Sequence, residues 1–214
     1  MENDIENDLG MSTERLAENI REIVCRVDNH IIGRLANKAG DVELDTVDVL
    51  LDFVARAGGG NHLEIGTLFG GSAIAVALLK ITLAQTGMVV CVDPLNGYYE
   101  GQDLSGELVV PKTLFSNIEM FGVGDRVLVM RAYSNACRHL DMEFSTAYID
   151  GGHRNGVPLQ DWLCIKDMVT RYVVFDNWED YYSDVKIACD VASRDLEWEC
   201  VYNIDTTYIV ERVT

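Results

Sequence analysis

From Gly60 onward the chain alternates between short apolar runs and helical stretches. The runs are Leu63–Ile65, Met88–Val92, Val127–Met130, Ala147–Ile149 and Tyr172–Phe175, and most are rich in Val or Ile. A strand that is apolar on both sides must be covered on both sides, and a parallel sheet flanked by helices does this. The alternation predicts a doubly wound α/β sheet with right-handed crossovers. Ser72 to about Leu83 is apolar nearly all round, so it reads as a buried helix. The end of the chain breaks the rhythm. A helical stretch from about Tyr181 to Arg194 is followed by two strand-like runs, Glu197–Tyr202 and Thr207–Val213, with Asn203-Ile204-Asp205-Thr206 as the turn. The prediction is a mostly parallel, seven-stranded sheet that ends in an antiparallel hairpin.

Two helices precede this core. Residues 1–11 are polar and expected to fray. From Ser12 a helix begins, with Leu16, Ile20, Ile23, Val24, Val27 and Ile31 on one stripe; Gly33 and Gly40 interrupt it. Asp45 is the expected cap of a second helix, which turns Val47, Leu50, Leu51 and Val54 inward and ends at Gly58-Gly59-Gly60. The chain divides into a helical cap or lid segment, residues 1–57, and a core domain, residues 58–214. The first stripe would also suit a homodimer.

Charge and cysteine usage narrow the function. With 214 residues and a formal net charge of -18, the chain is a poor match for nucleic acid or an anionic membrane. The six cysteines form no C-x-x-C pair and several sit in apolar runs, which reads as reduced, buried thiols. The first residues are acidic and polar, and no apolar span is long enough for a bilayer, so the expected location is cytoplasmic.

The stretch from Asn61 to Ser72 is strand, glycine turn and helix start. Such a turn brings backbone N–H groups against a small ligand. A P-loop is excluded because Ser72 stands where the lysine must be, and a dinucleotide fingerprint because Leu68 occupies the second glycine position. What remains is E-x-G-x-x-x-G-G-S, from Glu64 to Ser72. The carboxylate beside the turn favours a cationic or hydroxyl-rich ligand over a phosphate.

Ligands of open parallel sheets bind at the carboxyl ends of the strands. Those ends carry Glu64 and Gly66, then Asp93, then Tyr133 and Ser134, then Asp150 and His153, then Asp176 and Asn177. Asp93 suits a vicinal diol, or else a turn before Pro94. Ser134 suits an adenine edge, or else a helix cap. Asp150, Asp176 and Asn177 offer hard oxygen donors of the kind that suit Mg²⁺ or another divalent ion and do not suit zinc. His153 lies three residues after Asp150, placed to take a proton from an acceptor hydroxyl. The long loop 94–106 carries Tyr98 and Tyr99 as candidate acceptor contacts, and Trp178 is a third. His30, His62 and His139 read as structural. Asp205, in the final turn, is a weaker candidate for orienting an acceptor.

The pattern E-x-G-x-x-x-G-G-S resembles motif I of the class I S-adenosylmethionine (SAM)-dependent methyltransferases, and among them the small-molecule O-methyltransferases of the catechol O-methyltransferase type. The resemblance runs from about Gly58 to Asp180. It implies the Rossmann-like methyltransferase fold and a SAM site at Glu64, Gly66, Thr67, Leu68, Ser72, Asp93, Pro94, Tyr133, Ser134 and Asp150. Asp150 and the pair Asp176-Asn177 match the metal ligands of that family. Its catalytic lysine is replaced by His153, as in the macrocin and mycinamicin sugar O-methyltransferases, which generally carry two acids where this chain has Asp176 and Asn177. The implied activity is divalent-metal-dependent methyl transfer from SAM to a hydroxyl of a small molecule. A phenol or catechol, a sugar and a hydroxylated natural product all fit as acceptor. The alternative is a protein that binds SAM or S-adenosylhomocysteine (SAH) without catalysis. A nicotinamide oxidoreductase is disfavoured by the missing G-x-G-x-x-G and by the hairpin.

Overall fold

The computed structural model describes residues 12–27, 44–97 and 110–213. Strands β1 (Asn61–Ile65), β2 (Val89–Val92), β3 (Val127–Met130), β4 (Phe144–Ile149) and β5 (Val169–Phe175) are parallel. Strands β6 (Trp198–Ile204) and β7 (Thr207–Arg212) close the chain as a hairpin. The sheet order is β3-β2-β1-β4-β5-β7-β6, and β7 runs antiparallel to both of its neighbours. The order reverses between β1 and β4, which opens a crevice at their carboxyl ends.

Period-two alternation sends side chains to two separate cores. Leu63 and Ile65 of β1 join Val90, Val92, Ala147, Ile149, Val173 and Phe175 on one face. That face is covered by α5 (Val157–Ile165) and α6 (Ser183–Ala192). The other face, with Val89, Cys91, Tyr148 and Val174, is covered by α1 (Thr13–Val27), α2 (Leu44–Arg56), α3 (Gly71–Thr82) and α4 (Pro111–Phe121). As expected for a helix apolar all round, α3 is buried at every position from Ser72 to Lys80. The Lys80 ammonium donates to Gly60 O at 2.8 Å, and burial lowers its pKa to about 8.

The stripe Leu16, Ile20, Ile23, Val24 and Val27 of α1 is buried within this chain, where α1 packs on α2 and α3. Full burial of such side chains stabilises by about 1.5–3 kcal/mol each. The rest of the predicted stripe, Ile31, and also His30, Gly33, Gly40, Tyr98 and Tyr99, lie outside the described residues.

Several boundaries differ from the sequence expectation. Helix α2 begins at Leu44, so Asp45 sits inside it. Strands β4 and β5 start three residues earlier than their most apolar stretches. The hairpin turn is two residues, Asp205 and Thr206, because Ile204 and Thr207 already pair across it. Asp205 takes the left-handed φ of +54° that so tight a turn requires. The stretch after β3, Ser134–His139, is a 3₁₀ helix.

Candidate active site

The glycine turn is shaped by where β4 ends. Gly66 has φ +83°, and a Cβ there would stand 2.2 Å from the Asp150 carbonyl oxygen, so no other residue fits. The turn continues through Thr67, which is buried, and Leu68, which adopts φ +49°, to Gly70 at the N-cap of α3.

Glu64 is fully buried, and neither of its carboxylate oxygens has a hydrogen bond of good geometry among the described residues. Burial pushes its carboxyl well above the ordinary range. The Ser72 hydroxyl draws it down, the Asp150 and Asp93 charges push it further up, and the Thr67 hydroxyl draws it down again. A buried acid this poorly matched calls for a donor or a cation.

Asp93 is treated differently. Its Oδ2 accepts the Thr67 and Leu68 backbone N–H groups at 2.9 and 3.2 Å, and its Oδ1 accepts Leu95 N–H at 2.7 Å. It ties the glycine turn to the loop after β2, next to the half-buried Pro94. This is the turn role weighed for Asp93 in the sequence, now with three donors in place.

The ends of β4 and β5 bring Asp150, His153 and Asp176 together. His153 Nε2 lies 3.4 Å from Asp150 Oδ1, and its ring packs against Tyr182 with centroids 4.8 Å apart. Asp176 is only 4% exposed. Burial and then the Asp150 charge raise its pKa to about 8, against the Asn177 backbone N–H, the Tyr148 hydroxyl and His153, which lower it. Asn177 follows with φ +57°, a conformation that asparagine tolerates better than most residues.

Among the described residues no three His, Cys, Asp or Glu side chains are gathered to hold a metal ion. Of the three expected metal ligands, the structure brings the carboxylates of Asp150 and Asp176 together, and Asn177 turns its backbone N–H towards Asp176. Two neighbouring acids, of which Asp150 raises the proton affinity of Asp176, are chemically suited to a hard divalent cation.

Ser134 does not cap its helix, whose N-cap is Tyr133; its hydroxyl stands near enough to the Asp161 carboxylate to lower that acid's pKa. Tyr133 is 67% exposed. Trp178 packs against Tyr208 at 5.5 Å and carries Lys186 Nζ over its ring at 4.9 Å. Its backbone N–H donates to Thr206 O at 2.7 Å. His62 is buried as a structural histidine, with Nδ1 2.8 Å from Thr146 Oγ1 and a pKa lowered to about 3 by burial and then by Lys80. His139 is exposed.

Sequence reasoning passed over two residues here. Asp161 lies buried in α5 beneath Gly151, with burial raising its pKa to about 6. Thr46 of α2 donates its hydroxyl to Asp176 Oδ1 at 3.3 Å. A lone acid inside the apolar run Val157–Ile165 was a readable sign for Asp161. Nothing local marks Thr46. A separate cavity of about 490 Å³ lies at the opposite end of the sheet, lined by Gly60, Asn61, Glu143 and Ser145 among others, and none of the residues above reaches it.

No family model matches this sequence, and no curated protein sequence matches it. Solved structures do match the fold. The SAH-bound Podospora anserina methyltransferase PaMTH1 aligns with TM-score 0.64 at 14% identity, covering 92% of this chain and 88% of that one. The Bacillus cereus O-methyltransferase in complex with SAH aligns with TM-score 0.62 at 17% identity, covering 92% and 91%. The Streptomyces achromogenes O-methyltransferase TomG, in complex with SAM and involved in tomaymycin synthesis, aligns with TM-score 0.63 at 15% identity, covering 95% and 99%. The fold is therefore the Rossmann-like methyltransferase fold with its terminal hairpin.

Proposed function

We propose that this protein transfers a methyl group from SAM to a hydroxyl of a small molecule, with a divalent ion held by Asp150, Asp176 and Asn177. The observation that carries this reading is the meeting of Asp150, Asp176 and His153 beside the glycine turn, at the switch point of the sheet. Similar folds with SAM or SAH bound are consistent with it.

Glu64 and the Gly66–Ser72 turn are the residues offered to SAM, with Asp93 fixing the turn. Glu64 supplies a buried carboxylate that a cationic group of the ligand would satisfy. A bound divalent ion would acidify the acceptor hydroxyl and fix its position. His153 would accept the proton at Nδ1, because Nε2 faces Asp150 Oδ1, a carboxylate oxygen that can only accept. Asp150 orients that ring. The new carbon–oxygen bond forms as the methyl carbon–sulfur bond breaks, and neutral SAH leaves. Alignment of oxygen and methyl supplies on the order of 7–11 kcal/mol of the barrier reduction. Tyr98, Tyr99 and Trp178 are the proposed acceptor contacts. The acceptor is taken to be small and uncharged in bulk, since a chain of net charge -18 repels polyanions.

The deciding experiment combines calorimetry with SAM and turnover on a panel of phenols, sugars and hydroxylated natural products, with and without EDTA. SAM binding with turnover that stops in EDTA and returns with Mg²⁺ is expected. SAM binding with no metal binding and no turnover on any acceptor would favour a cofactor-holding protein instead. Full activity in metal-free protein would overturn the metal role.

A further inference from the structure

We infer that Thr46 is a positioning residue for Asp176, and that helix α2 thereby forms part of the divalent-ion site. The inference rests on the metal reading proposed above.

The hydroxyl of Thr46 donates to Asp176 Oδ1 at 3.3 Å. Thr207 Oγ1 donates to Thr46 Oγ1 at 3.1 Å, and Thr206 Oγ1 stands 3.3 Å from the same atom. A threonine hydroxyl has one hydrogen and two lone pairs. With Thr207 donating to one lone pair and Thr206 facing the other, the hydrogen of Thr46 is directed at the carboxylate. Such a chain polarises along its length, and the surroundings are dry: Thr46, Thr207 and Asp176 are 1%, 3% and 4% exposed.

The three threonines come from places far apart in the chain. Thr46 lies in the first turn of α2, whereas Thr206 sits in the turn of the terminal hairpin and Thr207 is the first residue of β7. The same turn takes the Trp178 backbone N–H through Thr206 O. Asp176 is thus held from helix α2, and Trp178, two residues on, is held from the hairpin. Carboxylates that bind ions generally depend on such outer partners, whose loss weakens binding by about 10–100-fold.

The test uses the full chain and Mn²⁺ as the probe, with its affinity read by calorimetry and by electron paramagnetic resonance. Thr46→Val keeps the shape and removes the hydroxyl, whereas Thr46→Ser keeps the hydroxyl. Thr46→Val is expected to weaken Mn²⁺ binding at least about tenfold. Thr46→Ser is expected to stay within about twofold, a rescue that a purely packing role would not give. Thr207→Val, which removes only the donor to Thr46, is expected to lie between them. A folded Thr46→Val protein with wild-type affinity overturns the inference while leaving the metal reading intact. If Thr46→Val does not fold, a folded Thr207→Val with unchanged affinity overturns it in the same way. A wild-type chain that binds no Mn²⁺ overturns both readings together.

Discussion

The two halves of the site hold their acids by different means. At the ends of β1 and β2, Asp93 is clamped by three backbone N–H groups from the loops it joins. At the ends of β4 and β5, Asp176 meets one backbone N–H, that of Asn177, with a threonine hydroxyl and the charge of a second acid. Backbone donors come with the path of the chain. Side-chain donors and a facing carboxylate depend on single residues. Asp93 is therefore fixed by the path of the chain, and Asp176 in good part by the side chains around it.

The largest expected effects fall in the second half. Asp150→Ala removes a proposed ligand and the partner of His153, and kcat/KM should fall by about a thousandfold or more, as loss of several kcal/mol implies. His153→Ala should lower turnover by roughly 10²–10⁴ with SAM affinity kept. If SAM affinity collapses in step with turnover, His153 serves binding rather than proton transfer.

Asp93→Asn sharpens the contrast. Asparagine offers acceptors on one atom only, so at least one backbone N–H is left facing an amide group. Stability should fall by about 1–3 kcal/mol with Mn²⁺ affinity unchanged. Asp176→Asn should do the reverse, losing Mn²⁺ binding while making the metal-free protein more stable at alkaline pH. Denaturant melts beside Mn²⁺ titrations decide this. A loss of Mn²⁺ binding in Asp93→Asn would dissolve the distinction between the halves.

The last expected effect is a pH dependence of metal-free melting. Asp176 is raised from 3.8 to about 8 in the fold, so the native state holds its proton more tightly than the unfolded chain. That contribution to stability is present at low pH and is lost as pH rises towards 8. Glu64 acts in the same direction. His62 is lowered from 6.5 to about 3, so its contribution is present above 6.5 and is lost as pH falls towards 3. The melting temperature should therefore decline on both the acid and alkaline sides. Mg²⁺ should flatten the alkaline decline, and an alkaline limb identical in Asp176→Asn would remove Asp176 from the account.

Much of the fold could be read from the sequence because its signals are local. The spacing of Val and Ile runs gives the parallel strands, and the all-round apolar stretch gives α3. The positions of Asp150 and Asp176 follow equally from where strands stop. Thr46 could not be read, because its meaning lies 130 residues further on, at Asp176. The three donors to Asp93 were hidden for a related reason, since backbone N–H groups leave no mark in composition. The length of the hairpin turn was missed because Asp205, unlike glycine, gives only a mild sign of positive φ.

Strand β7 lies between β5 and β6, although it is synthesised after both. While a nascent chain is still on the ribosome, β5 has an open edge, and the hydroxyls of Thr206 and Thr207 have yet to arrive. The Thr46 hydroxyl gains its two threonine neighbours only when β7 takes its place between β5 and β6. A chain cut before Thr206 would keep the glycine turn but lack both threonines that face Thr46.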